Sequence, residues 1–129
     1  MLTEKQIVGC KRKLDDRFYE LREEIRLELL ESDNQTYIDL AGRVHDLGEA
    51  SVADLLVDLQ LADIDRHIQE IREIDAAMMR IATDNYGICT DCRSFIGIDR
   101  LQAYPTAQRC QPCQAEYERL YAGPGRASL

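Results

Sequence analysis

The sequence predicts a mainly α-helical protein: a long antiparallel coiled-coil hairpin, then a small C-terminal four-cysteine zinc-finger module and a closing helix. Three observations lead there. Apolar residues recur every three or four positions through the first two thirds of the 129 residues, a glycine turn interrupts them at Gly48, and two Cys-x2-Cys pairs follow. Composition agrees, because no Trp, two Phe and three Pro are too few for a multi-stranded sheet or an aromatic-walled pocket.

Residues 1–85 form the expected hairpin. Thr3-x-x-Gln6 is a capping-box pattern that starts the first helix. Ile7, Leu14, Phe18, Leu21, Ile25 and Leu29 make its apolar stripe, with Lys11, Arg12, Asp15, Asp16, Arg22, Glu23 and Glu24 on the other faces. Ser32-Asp33-Asn34-Gln35 predicts a kink or short break, because these side chains compete for backbone hydrogen bonds. Tyr37, Leu40, Ala41 and Val44 resume the stripe, and Asp46–Ser51 is the turn, with Ser51 expected to cap the second helix. That helix carries Val57, Leu61, Ile64, Ile68, Ile71, Ile74, Met78 and Ile81, a near-3.5 repeat that predicts a coiled-coil seam from about 51 to 84. Gly87 is expected close to its C-cap. Two such helices joined by a tight turn fold into a rod with its tip near 46–51 and its base at the cysteines. One chain closes this seam, so a monomer is expected.

Residues 86–122 form the second unit. Cys89-x2-Cys92 and Cys110-x2-Cys113 are separated by 17 residues. Each knuckle presents two thiolates from one tight loop, and together they complete the closed tetrahedral shell of one structural Zn2+. A redox pair would need a βαβ context that is missing, and a disulfide framework suits another compartment; an iron–sulfur cluster shares the ligand type. With four protein ligands the ion has no open position for activating water, and no nucleophile–base pair accompanies it, so no enzyme is expected. Phe95–Ile98 and Arg100–Ala103 predict a β-hairpin between the knuckles. Pro112 opens a helix carrying Ala115, Tyr117, Leu120 and Tyr121, and 123–129 is an expected flexible tail. Cys10, His45 and His67 lie on helices and are expected to pack or face solvent.

Charge narrows the partners. The chain carries −8 overall, −6 over residues 49–88 and +1 over 89–129. That balance argues against a protein that grips phosphate backbones. No run of 18 apolar residues would span a membrane, the N-terminus lacks a secretory stretch, and a cytoplasmic protein is expected.

Tyr86-Gly87-Ile88-Cys89-x2-Cys92, followed by Ile96-Gly97-Ile98-x-Arg100-Leu101-x-Ala103-x-Pro105-Thr106-Ala107-x2-Cys110-x2-Cys113, resembles the DksA/TraR family of bacterial zinc-finger transcription regulators. The resemblance is firm over the 30 residues Asp84–Cys113 and looser across the helices. It implies binding to RNA polymerase without sequence-specific DNA contact, insertion of the coiled-coil tip into the secondary channel, and altered promoter complexes, often with the alarmone ppGpp of the stringent response. The family's tip motif, Asp-x-x-Asp-x-Ala, falls on Asp46-x-x-Glu49-x-Ser51. Here Glu49 is one methylene longer, Ser51 replaces Ala, and Arg93 stands after the first knuckle where Gly is usual. Two alternatives accompany this reading. One is a Gre-type transcript-cleavage factor, which has a similar acidic tip but lacks the zinc finger. The other is a zinc-ribbon module binding nucleic acid or protein through Arg93, Arg100 and Arg109.

Overall fold

A computed structural model describes residues 1–57 and 62–122. It is mainly helical, with the four cysteines gathered near the C-terminal end. Helix α1 spans Glu4–Leu30 and α4 spans Ala62–Ala82. The capping box that opens α1 is formed in both directions between Thr3 and Gln6. Leu14, Phe18, Leu21, Ile25 and Leu29 are buried along α1 and meet Ile64, Ile68, Ile71 and Ile74 of α4 in one apolar core. Cys10 is a small packed member of that core.

Ion pairs on the seam's flank show that α1 and α4 run antiparallel. Arg17 grips the Glu70 carboxylate with two N–H groups at 2.5 and 3.0 Å. Farther along α1, His67 lies between two carboxylates: Nε2 is 3.2 Å from Glu24, and Nδ1 is 3.3 Å from Glu28 without hydrogen-bond alignment. Such half-exposed pairs fix register more than they stabilise, each contributing about 0–1 kcal/mol. The apolar seam supplies the free energy.

The arms differ from two unbroken helices. α1 stops at Leu30, where Ser32 Oγ accepts the Asn34 N–H and the Asn34 side chain caps Thr36, as the Ser-Asp-Asn run predicts. Helix α2, Gln35–Val44, then folds back along α1, and helix α3, Glu49–Leu56, packs on α4. The 45–48 turn therefore lies beside the middle of α1, where Arg22 Nη1 donates to the Leu47 carbonyl at 3.1 Å. An in-line α2 would put these residues far apart, since 25 helical residues span about 37 Å. The rod predicted to end at 46–51 is thus corrected: the break at 31–34 returns the chain before that turn is reached. Ala41, Val44, Val52, Ala53 and Leu56 bury the small apolar faces of α2 and α3.

Smaller expectations are also revised. Gly48, not Ser51, is the N-cap of α3, and Ser51 lies inside its first turn. α4 ends on a Schellman motif at Asp84 (φ 59°), with Asn85 N–H donating to the Arg80 carbonyl and Asp84 N–H to that of Ile81. Gly87, also left-handed, serves the next turn instead. Ala77 is buried while Met78 and Ile81 are only partly so. Leu61, the second helix over 58–61 and the tail 123–129 lie outside the described residues. Among the described residues, no helix is long and apolar enough to cross a membrane.

Candidate metal centre and acidic turn

Glycine sets up the first knuckle. Gly87 has φ 84°, a left-handed conformation that glycine adopts without the strain of a side chain, and a Cβ there would stand 2.8 Å from Leu2 Cδ1 and push that side chain aside. Cys89 N–H then donates to the Ser94 carbonyl and Arg93 N–H returns to the Cys89 carbonyl. Closing that loop puts Arg93 at φ 66°. One antiparallel bridge, Ile88 to Phe95, closes the knuckle, but the β-hairpin expected from Phe95–Ile98 and Arg100–Ala103 does not form. Gly97 (φ 102°) turns the chain into a helix instead: α5, Ile98–Ala103, which buries Leu101 completely.

The second knuckle rides on a helix. Cys110 is the N-cap of α6, Gln111–Tyr117, with Pro112 in the first turn, as predicted. A π-helical turn over Glu118–Ala122 extends it, leaving Leu120 and Tyr121 exposed. The knuckles are tied together by Thr90 N–H on the Gln108 carbonyl and by Arg109 Nε on Asp91 Oδ2 at 2.9 Å. Arg109 also stacks over the Tyr117 ring at 3.9 Å, and its carbonyl accepts from Arg100 Nε.

The segment before the second knuckle holds the module to the rod. Tyr86 Oη donates to the Pro105 carbonyl at 2.7 Å, Arg80 Nη2 donates to the Thr106 carbonyl at 3.2 Å, and Ala107 is buried. Lys13 Nζ donates to the Gln102 carbonyl from α1. Arg-Leu-x-Ala-x-Pro-Thr-Ala is therefore a docking strip: carbonyls along it receive donors from Lys13, Arg80 and Tyr86, and Leu101 and Ala107 enter the core.

The sulfurs of Cys89, Cys92, Cys110 and Cys113 all lie within 4.8 Å of one another, and those of Cys92 and Cys110 are 3.8 Å apart. Four sulfurs at the usual Zn–S length of 2.3 Å sit about 3.8 Å apart in a tetrahedron. The donor set fits one structural zinc. The thiols are also electrostatically sorted. Burial raises the Cys89 pKa, but N–H groups of Cys92, Cys110 and Asp91 outweigh it and lower the thiol to about 6. Cys113 is pushed up to about 12 by Cys110 first and by burial second. Without a cation four thiolates repel; a divalent ion removes that conflict and holds together a segment with little core of its own.

The acidic residues lie elsewhere. Asp46 is exposed in the α2–α3 turn, with no ion pair or side-chain hydrogen bond to the described residues. Glu49 opens α3 half-buried, and Ser51 is exposed in the same turn. They share one short stretch of chain, well away from the sulfurs. Sequence reasoning missed Arg22, whose partner is 25 residues away, and Tyr86, whose hydroxyl joins rod and module; neither pairing leaves a local signal.

Residues 84–119 match the family model of the prokaryotic dksA/traR C4-type zinc finger. The chain is similar to the RNA polymerase-binding transcription factor DksA of Haemophilus influenzae, 39% identical over 43% of this chain and 39% of that protein. It is 30% identical to the factor of the same name from Buchnera aphidicola, over 75% of this chain and 66% of the relative. With that of Caulobacter vibrioides it shares 32% over 70% of this chain and 58% of the relative. The chain thus spans between two fifths and two thirds of the length of these relatives. No solved structure matches it. With the zinc-finger model matched and the likeness continuing into the helices, the chain belongs to the DksA/TraR family.

Proposed function

We propose that this protein is a non-enzymatic regulator of transcription initiation that binds RNA polymerase, acting in the cytoplasm as a monomer. The observation that carries the reading is the extent of the likeness: relatives named as RNA polymerase-binding transcription factors match over 75% and 70% of this chain, far more than the zinc finger at 84–119. In this reading the zinc module is a structural base, not a reaction centre, because all four ligand positions belong to cysteine. The acidic group that acts in the secondary channel is carried by the α2–α3 turn: Asp46, with Glu49 and Ser51. Asp46 is exposed and unpaired among the described residues, which supports the assignment, since a carboxylate free of such partners keeps its charge for a basic wall or a metal ion.

Multi-round transcription with purified polymerase from the same organism tests this. Asp46→Asn should bind polymerase as wild type does and lose the effect on transcript yield. An Asp46→Asn protein with full effect removes the acting role from this turn. A parallel arm with ppGpp reads whether the alarmone enlarges the effect.

A further inference from the structure

The base of the rod carries an apolar groove that neither the zinc site nor the acidic turn uses. It is a cavity of about 490 Å³ where α1 begins and α4 ends, lined by Leu2, Ile7, Ile81, Ile88 and Ile98, with Asp84 the one charged residue among the described lining. Its size is that of clefts that enclose a small ligand, ample for an aromatic ring. Phe95 stands on its rim and is 61% exposed. A largely bare ring beside an open apolar cleft marks a contact surface.

We propose that two copies of the chain meet on this face, across a two-fold axis that seats the Phe95 of each in the groove of the other. The groove brings its own key: ring and cleft lie on one face, which is the self-complementarity that a two-fold contact requires. The charges match as well. Arg93, two residues before Phe95, is exposed with no side-chain ion pair among the described residues, and Asp84 is an exposed carboxylate in the same condition. A knuckle that enters ring first carries Arg93 toward Asp84 of the second copy, and the axis makes that pair twice. At longer range two chains of −8 repel, but residues 89–129 sum to +1 where 49–88 sum to −6, so approach base to base meets the least repulsion. Each copy offers about a dozen residues, roughly half of what a standard interface takes from one side, so the pair is weak, with a Kd on the order of 10–100 μM. Below that concentration the chain is single, so this association goes beyond the function proposed above and leaves its monomer intact.

Sedimentation velocity of the zinc-loaded chain from about 1 to about 500 μM brackets that constant. Wild type should pass from monomer to dimer over this range, and Phe95→Glu should stay monomeric throughout. Arg93→Glu alone and Asp84→Lys alone should each raise Kd by about fivefold or more, because both rim contacts of either self-pair become like-charged. Mixed in equal amounts, these two variants should associate about as tightly as wild type, since every mixed pair holds two opposite-charge contacts. A wild type that stays monomeric gives the groove to another occupant and overturns the proposal. So does a Phe95→Glu protein that still dimerises, or a mixture no tighter than its components. Each variant must hold one zinc per chain and wild-type helix content; if one fails that check, the wild-type titration and the remaining variants decide. Polymerase is absent throughout, so this result and the polymerase-binding reading stand or fall separately.

Discussion

Arg93 should be replaced to advantage by glycine. It sits at φ 66° in the first knuckle, where its backbone N–H bonds the Cys89 carbonyl while its side chain makes no hydrogen bond or ion pair with the described residues. A left-handed conformation costs a side-chain-bearing residue about 1–2 kcal/mol, and glycine escapes that cost. Glycine also loses more freedom on folding, by roughly 0.5–1 kcal/mol. The difference favours Arg93→Gly by about 0.5–1 kcal/mol. That strain arises when the knuckle closes on the metal, so zinc affinity should rise by about two- to fivefold. Removing a cation beside thiolates opposes the gain, and Arg93→Ala isolates that effect, since alanine keeps the left-handed penalty. Competition with a chromophoric chelator reads all three proteins. Arg93→Gly should hold zinc more tightly than Arg93→Ala by the stated factor. Equal affinities for the two variants would refute the backbone argument.

Other predictions concern the rod and its junction with the module. Ile71→Ala, at a fully buried seam position, should lower stability by about 2–5 kcal/mol in urea unfolding while zinc content stays at one per chain. Glu73 has its carboxyl pKa raised, first by burial and then by Glu70. A raised acid pKa means that the folded state binds the proton more tightly, so stability is lost as pH rises from the ordinary carboxylate value through the raised one. Glu73→Gln should therefore be more stable than wild type at neutral pH, and the gain should vanish below the ordinary carboxylate range; thermal unfolding at both pH values reads this. Chelation of zinc should loosen residues 86–122 and spare the α1–α4 seam, so hydrogen exchange should quicken around Leu101 and Ala107 far more than around Leu21 and Ile71.

The legible parts of this fold are those where local chemistry decides. Thr3 and Gln6 cap α1 because both partners lie within one turn, and the Leu14–Leu29 stripe is buried because helical spacing alone puts it on one face. The zinc site was readable for the same reason: two residues between cysteines fix each knuckle. The fold-back was not readable. The repeat at 57, 64 and 71 suits an extended hairpin as well as the observed one, and the contacts that mark the latter, such as Arg22 with Leu47, leave no periodic trace. Nor could composition separate Asp84 from Gly87 as the residue ending α4, since both adopt positive φ. At 98–103 a six-residue helix replaced the expected strand because Leu101 had to reach the core beside α1, a tertiary demand that overrides β propensity.

The most direct measurement is binding of the zinc-loaded chain to purified core RNA polymerase, followed by anisotropy of a fluorophore placed on the exposed face of α1. The account predicts saturable one-to-one binding in the absence of DNA, abolished when Cys89→Ser and Cys113→Ser dismantle the metal-held base. No binding to polymerase, or binding to bare DNA that collapses with salt, would contradict it.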